Sequence, residues 1–238
     1  MESLKGKIVF IAGATGGVGS QVAKQVSASG AIVYITGQNS AKLAEVALQA
    51  NIPSSRCFQM DITNEHAVNE TVRQVLAQTP TIHILINATG IGIIKPMDTL
   101  NSEEFERSLR VNLMGAFYLV KAVLPSMKVE KKGLIINIPG VLGKVPMAGA
   151  AAYSASKYGL VGMMQSIREE LKRTEIRITN IFLGGIDSAF WDTIDLRVQR
   201  DKMIVAEEAA KAIWFLCQQP ASGVVSEMVL QPFNHQAI

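Results

Sequence analysis

Near the start of the chain, residues 8–19 read IVFIAGATGGVG, and a helical pattern follows them. The apolar run 8–12 predicts a buried β-strand, and the glycines predict a tight turn, because glycine tolerates positive φ and leaves the backbone open to a ligand. A helix that begins after such a turn offers free N–H groups and a positive dipole end to a pyrophosphate. We therefore predict a dinucleotide-binding unit. The residues expected to contact the dinucleotide here are Gly13, Thr15, Gly17, Val18 and Gly19.

Short apolar runs alternate with helical patterns along the rest of the chain, which predicts a parallel sheet with helices on both faces. Predicted strands cover residues 8–12, 31–36, 56–60, 83–87, 134–138, 177–182 and 227–230, and predicted helices cover residues 18–29, 40–51, 64–78, 102–128, 152–173 and 206–218. Asn101 and Glu104 have the spacing of a capping box, and Gly30 follows its helix as a stop signal. The predicted fold class is α/β, a three-layer doubly wound parallel sheet (Rossmann fold) of about seven strands, forming a single domain over residues 1–238.

Composition excludes several classes of protein. The chain has 238 residues, of which 48% are hydrophobic and 18% are charged, so it is not a disordered chain. The formal net charge is +3, and no basic run is longer than Lys131-Lys132. Nucleic-acid binding needs a concentrated basic face, so we expect no nucleic-acid partner.

The cysteines and the apolar segments restrict the chemistry and the location of the protein. Cys57 and Cys217 lie far apart in the sequence, so we predict neither a disulfide framework nor a metal site. Glycines interrupt the uncharged residues 8–23, so this stretch is predicted to be neither a signal peptide nor a membrane span. We expect a cytoplasmic protein that does not bind membranes. The three histidines, His66, His83 and His235, fall away from the predicted crevice.

The end of the second predicted strand bears on which dinucleotide binds. A site for NAD has an acidic residue there, which bonds the ribose hydroxyls. This chain has Thr36-Gly-Gln38-Asn-Ser40, without an acid to repel a 2′-phosphate. NADP is therefore favoured over NAD, with Gln38 and Lys42 as contacts. The alternative for Lys42 is an ordinary solvated helix lysine.

Tyr153 and Lys157 form a candidate proton-transfer pair. Residues four apart share one face of a helix, so the ammonium and the phenol can meet. A free tyrosine has a pKa near 10, and a neighbouring positive charge favours the phenolate and lowers that pKa. The phenol would then exchange a proton with a carbonyl or hydroxyl oxygen. The alternative is a boundary tyrosine beside an exposed lysine.

These motifs together resemble the short-chain dehydrogenase/reductase family, in its single-domain subgroup, over nearly the whole chain. The resemblance implies that Tyr153 and Lys157 are the family's signature pair and that Lys157 also bonds the nicotinamide ribose. It implies that Asn112 is the catalytic asparagine, which anchors a proton-relay water. Further cofactor contacts implied by the resemblance are Asp61 and Ile62 at the adenine, Asn87, Ala88 and Gly90 in the segment Asn87-Ala88-Thr89-Gly90, and Ile186 near the nicotinamide.

The chain departs from the family pattern at the active-site serine. The family has an Asn-Ile-Ser-Ser segment, whereas this chain has Asn137-Ile138-Pro139-Gly140, so Gly140 occupies the serine position. The family's later Pro-Gly turn appears as Leu183-Gly184, followed by Ile186 and Ser188. One oriented donor to a developing oxyanion contributes about 2.7–4 kcal/mol, so catalysis would be weakened without being abolished.

Two functions remain open at this point. The first is a NADP(H)-dependent oxidoreductase that interconverts a carbonyl and an alcohol on a small, apolar substrate, with Tyr153, Lys157 and Asn112 as catalytic residues. The second is a regulatory or scaffold protein that binds the dinucleotide without turnover, and Gly140→Ser would separate the two. Activity on a different bond, such as dehydration or isomerisation, is a third possibility.

The resemblance also implies a substrate-covering loop at about residues 188–205. Its apolar side chains predict an apolar substrate. These side chains are Phe190, Trp191, Ile194 and Leu196. The alternative is that they pack on the sheet or on a neighbouring subunit.

By the resemblance, helices 102–128 and 152–173 pair between subunits, so we expect a homodimer or homotetramer. Four methionine and aromatic side chains on these helices could contact a partner subunit or be buried in the core. Burial in the core is the favoured interpretation for each of them. They are Met114, Phe117, Met163 and Met164. Residues 229–238 are either a subunit arm or a frayed end.

Overall fold

The computed structural model describes residues 1–234, so the end of the predicted arm and His235 lie outside the described residues. The strands are β1 (Ile8–Ala12), β2 (Ile32–Gly37), β3 (Cys57–Gln59), β4 (Ile84–Asn87), β5 (Lys132–Asn137), β6 (Glu175–Leu183), β7 (Ile186–Asp187), β8 (Ile204–Val205) and β9 (Glu227–Leu230). The α-helices are α1 (Gly17–Ala28), α2 (Ser40–Gln49), α3 (Glu65–Gln78), α4 (Ser102–Leu109), α5 (Gly115–Glu130), α6 (Ala151–Leu171) and α7 (Ala206–Cys217).

The main sheet has seven parallel strands in the order β3-β2-β1-β4-β5-β6-β9. This confirms the predicted doubly wound α/β fold. The strand order reverses between β1 and β4, where Ala12 is paired with both Thr36 and Asn87. Ligands of such sheets bind in the crevice outside the carboxyl ends of the strands at this reversal. The functional site is therefore sought at that edge.

Hydrophobic cores lie on both faces of the sheet. Alternate residues of β1 point to opposite faces, so Ile11 packs with α1, α2 and α7 while Phe10 packs with α3, α5 and α6. Both side chains are completely buried. Full burial of such a side chain contributes about 1.5–3 kcal/mol, so the central strands hold the crevice on a rigid support.

Local sequence signals set several helix ends, and the signals at Asn101 and Gly30 were predicted from the sequence. The Asn101 side chain accepts a bond from the Glu104 N–H, and the Glu104 carboxylate accepts from the Asn101 N–H, which completes the capping box. Gly30 has φ of +80°, the left-handed conformation expected after a helix. Asn39 and Asn64 accept bonds at the starts of α2 and α3.

Two parts of the structure differ from the prediction. The predicted continuous helix 102–128 contains a π-helical turn over Arg110–Met114, between α4 and α5. Hydrogen bonds of the buried Asn112 side chain, described below, accompany this widening of the helix. The structure also has a separate two-stranded parallel sheet in which Ile186 is paired with Ile204. Its two-residue strands are too short to give a sequence pattern.

Within residues 1–234, no helix combines the length and the apolar character needed to cross a membrane.

Candidate active site

The first turn has the open backbone that the sequence predicted. Gly13 has φ of +83°, and a Cβ at this position would lie 2.7 Å from the carbonyl carbon of Ala88. Gly16 precedes α1 and provides no side-chain cap, so the first amide groups of the helix stay available to a ligand. A Cβ on Gly17 would lie 2.6 Å from Cβ of Ser188, so glycine is also needed where the 188–205 segment meets the turn.

A cavity of about 930 Å³ opens at the carboxyl edge of the sheet. It joins the glycine turn to the helix that carries Tyr153 and Lys157. Of the predicted cofactor contacts, those that line it are Thr15, Gly17, Val18, Gly19, Ala88, Gly90, Tyr153, Lys157 and Ile186. The cavity is lined by Lys157, Arg197 and Lys202, and no Asp or Glu is among its lining residues from the described part of the chain.

The other predicted contacts lie outside this lining. Gln38, Lys42 and Asp61 are exposed at the ends of β2 and β3, and an Asp61 carboxylate oxygen accepts two hydrogen bonds from Thr63. Three further contacts are engaged within the fold. Gly13 lies beneath the turn against Ala88, Ile62 packs against Gly115, and Asn87 bonds to Asn137 and Thr89.

Tyr153 and Lys157 meet as predicted from their spacing in α6. The Lys157 ammonium lies 5.5 Å from the centroid of the Tyr153 ring, and it donates a hydrogen bond of 3.3 Å to the Ile138 carbonyl. Burial lowers the pKa of Lys157 to about 8 and raises the pKa of the Tyr153 phenol. The Tyr153 shift is opposite to the expected one, because removal from water penalises the phenolate more than the nearby ammonium stabilises it.

Asn112 lies in the π-helical turn, where its side chain is 1% exposed. Its oxygen accepts a bond of 2.8 Å from the Ile91 N–H, and its amide donates to the Ile91 carbonyl at 3.0 Å. The amide also donates to the Ser156 hydroxyl at 2.9 Å. The side chain therefore fixes the backbone after β4 against α6, and it does not line the cavity with Tyr153.

Gly140 lies beside the Tyr153 hydroxyl. A Cβ on Gly140 would lie 3.7 Å from the phenol oxygen and 3.5 Å from the Leu183 carbonyl oxygen. The residue has φ of 72° and ψ of 168°, a region that essentially glycine alone adopts. A serine at this backbone conformation would cost on the order of 1–3 kcal/mol. The Gly140→Ser exchange therefore changes backbone strain as well as adding a hydroxyl.

The 188–205 segment lies at the cavity, and its aromatic side chains contact the site. The Phe190 ring lies 5.9 Å from that of Tyr153 and 5.2 Å from that of Trp191, measured between centroids. The Trp191 indole donates a bond of 2.9 Å to the Ile186 carbonyl. Arg200 links Asp187 and Asp192 at 2.6 and 2.8 Å. The segment is thus tied to the sheet by directed bonds as well as by apolar contacts.

Sequence reasoning missed several residues of the site. Ser156 precedes the signature lysine and bonds Asn112, while Arg197 and Lys202 line the cavity. The Tyr153–Lys157 helix spacing pointed to the face of α6 but not to Ser156, whose partner lies in another helix. Arg197 and Lys202 belong to an irregular segment, where no periodic pattern indicates which side chains face the cavity.

No group of three or more His, Cys, Asp or Glu side chains that could hold a metal ion occurs among the residues that the structure describes.

The family model described as short chain dehydrogenase matches residues 7–198. An uncharacterised oxidoreductase of Staphylococcus epidermidis is 28% identical over 232 residues, which cover 98% of this chain and 100% of that protein. A metagenomic short-chain oxidoreductase in complex with NADP has a TM-score of 0.83 at 29% identity, covering 97% of this chain and 99% of that chain. The closed form of a serine dehydrogenase complexed with NADP⁺ has a TM-score of 0.88 at 26% identity, covering 96% of both chains.

The family match extends from before β1 through Tyr153 and Lys157. The metagenomic short-chain oxidoreductase shares the fold of this chain along nearly its whole length. This chain belongs to the short-chain dehydrogenase family of oxidoreductases.

Proposed function

We propose that the protein is a NADP(H)-dependent oxidoreductase that interconverts a carbonyl and an alcohol on a small substrate with an apolar body. The observation that carries the proposal is the shared cavity, in which the glycine turn lies together with Tyr153 and Lys157. Relatives at 29% and 26% identity are described with NADP and NADP⁺, which supports a nicotinamide dinucleotide. Both relatives and the S. epidermidis protein are named as oxidoreductases or dehydrogenases, so a binding protein without turnover is not favoured.

The residues present fit a dinucleotide. Gly13 and Gly17 leave the turn free of side chains, and α1 begins without a side-chain cap. A side chain at Gly90 would come within 3.1 Å of the Lys157 ammonium, so glycine keeps this part of the cavity open. When bound, the nicotinamide supplies or accepts the hydride.

The preference for NADP over NAD rests on the end of β2. Gln38 and Lys42 are exposed there, and the segment 36–40 carries no acid that would repel a 2′-phosphate. A Lys42 ammonium that reaches the phosphate would add a charge-assisted bond. Titration with NADPH and NADH is therefore expected to favour NADPH, and Lys42→Met is expected to reduce that preference.

Tyr153 would serve as the acid in the reducing direction. Its raised pKa keeps the phenol protonated at neutral pH, so it can donate a proton to the carbonyl oxygen. Lys157 would hold the ribose side of the cofactor and place positive charge beside the phenol. Asn112 would act as a positioning residue through its bonds to Ile91. Its main chain would hold the proton-relay water that the family resemblance implies.

The central test compares Tyr153→Phe with the wild type on a panel of aldehydes and ketones with NADPH. We expect kcat to fall by about 10²–10⁴-fold, since general acid catalysis is lost, and NADPH affinity to change much less, since the cavity is retained. Tyr34→Phe is the matched control, because Tyr34 stacks on Phe58 and is not among the described residues that line the cavity. Unchanged turnover in Tyr153→Phe, or no turnover of any panel member by NADPH-bound wild type, would contradict the proposal.

A further inference from the structure

The cavity has an excess of positive charge. Lys157, Arg197 and Lys202 line it, and the described lining residues include no Asp or Glu. Lys157 belongs to the proposed catalytic pair. Arg197 and Lys202 lie on the 188–205 segment and are outside that pair. Both side chains are exposed. Because cations in a cleft attract anions, the two together provide a site for an anionic ligand.

A third cation of the same segment does have acidic partners. Arg200 pairs with Asp187 at 2.6 Å and with Asp192 at 2.8 Å. By contrast, neither Arg197 nor Lys202 has a carboxylate within ion-pair distance in the described residues, and Asp201 directly precedes Lys202 in the sequence. Arg197 and Lys202 therefore line the cavity without an ion pair to a carboxylate of the described residues.

The cofactor's phosphates have other candidate partners in this structure. The 2′-phosphate belongs at the end of β2, where Gln38 and Lys42 lie outside the cavity lining. The pyrophosphate already has the uncapped start of α1. Lys202 precedes Met203, which packs against Gly185, with the side-chain Cγ 3.2 Å from a Cβ placed there.

Apolar side chains line the same cavity as the two cations. Leu196 precedes Arg197, and Trp191 and Met147 line the cavity with them. A ligand that satisfies both features has an apolar body and an acidic end. A guanidinium is suited to a carboxylate, because its two parallel N–H groups match the two oxygens.

We propose, on the basis of the proposed reductase function, that the substrate is an oxo acid or the matching hydroxy acid, whose carboxylate is held by Arg197 and Lys202. The reacting carbonyl lies at Tyr153, and the apolar body between the two ends contacts Trp191 and Leu196. The carboxylate makes the segment select for charged over neutral carbonyl compounds.

The experiment uses acids paired with their own methyl esters, namely levulinate and benzoylpropionate, with NADPH as reductant. Each ester keeps the carbonyl and loses the charge. We expect wild-type kcat/KM to be about tenfold higher for the acids, and we expect the advantage to shrink between about 0.01 M and 1 M salt. The double variant Arg197→Met/Lys202→Met should lose the advantage while it turns over the esters like the wild type. Lys211→Met, an exposed lysine of α7, is the matched control.

NADPH affinity, measured by calorimetric titration, separates the two sources of negative charge. Affinity unchanged within about twofold in the double variant supports a substrate carboxylate. If the double variant lost NADPH affinity, and its kcat/KM fell equally for acids and esters, the two cations would be assigned to the pyrophosphate and the inference would be overturned. Equal turnover of acids and esters by wild type would also overturn it while leaving the reductase function intact. No turnover of either series by NADPH-bound protein would instead contradict the proposed function, and with it this inference.

Discussion

Lys157 has to remain charged in a place that disfavours charge. Its side chain is 2% exposed, and its one hydrogen bond in the described structure is to the Ile138 carbonyl. Burial lowers its pKa to about 8 from an ordinary value near 10.5. The positive charge that would orient a cofactor and a phenol is thus maintained against a cost in folding free energy. A functional residue with such a cost is expected at an active site.

The first prediction at this scale concerns Lys157→Met. A pKa difference between 10.5 and about 8 corresponds to about 3 kcal/mol. The free energy of unfolding of the variant at pH 7 should therefore exceed that of the wild type by up to about 3 kcal/mol. The folded chain binds fewer protons at this site than the unfolded chain between pH 8 and 10.5. Wild-type stability should therefore rise relative to the variant across that window, as measured by urea unfolding without cofactor.

The same variant should lose carbonyl reduction, since neither its thioether nor any neighbour replaces the ammonium. Lys172→Met is a suitable control, because Lys172 is exposed and pairs with Glu169 at 3.2 Å. The idea that burial destabilises the charged Lys157 would be contradicted if Lys157→Met were less stable than the wild type at pH 7 and the stability difference between them stayed constant up to pH 10.

At the scale of elements, short-range signals predicted more than long-range ones. The glycine turn, the capping box at Asn101 and the stop at Gly30 act within a few residues, and all were predicted from the sequence. The π-helical turn was not predicted. It is accompanied by hydrogen bonds between Asn112 and Ile91, which lies 21 residues earlier, and a local sequence pattern does not reveal a partner at that distance. The pKa of Tyr153 was expected to fall, but burial raises it. Helix spacing indicates that a lysine is near, but it does not indicate how far burial removes the phenol from water.

The 188–205 segment shows how distant partners shape an element without regular structure. Its sequence predicted an apolar cover, yet its position depends on β8 pairing with β7 and on Arg200. Exposed ion pairs usually contribute about 0–1 kcal/mol each, so the Arg200 bonds matter little to global stability. They matter to the position of the segment, since one guanidinium links its two ends.

We therefore predict that Arg200→Met raises KM by about threefold to tenfold and leaves the midpoint of thermal unfolding nearly unchanged. Limited proteolysis should cleave within 188–205 faster in the variant than in the wild type. Glu70 with Arg73 on α3 gives a control pair of similar chemistry at 2.6 Å, so Arg73→Met should change neither quantity. An unchanged KM with unchanged cleavage would show that the segment is positioned by its apolar contacts.

For the whole molecule, the parallel sheet gathers the chemistry at one edge and leaves helix faces for assembly. Met164 is fully buried, as favoured from the sequence, but Met114 and Phe117 are 39% and 37% exposed. Gly159 of α6 packs against Leu113, with a placed Cβ 3.0 Å from the leucine, so the two helical layers adjoin there. Tyr158 is 44% exposed beside this contact, which leaves apolar surface on both helices.

We predict that a second copy of the chain covers this surface, which we name the α5–α6 face and define by Met114, Phe117 and Tyr158. Sedimentation of the wild type should give a dimer or tetramer, because association buries apolar area that the folded chain leaves in water. Phe117→Glu should shift the protein towards monomer, since it places a charge within that area. Leu48→Glu is the control, because Leu48 is 81% exposed on α2, which packs on the opposite side of the sheet. A wild type that sediments as monomer would contradict the prediction, as would a Phe117→Glu variant that assembles like the wild type.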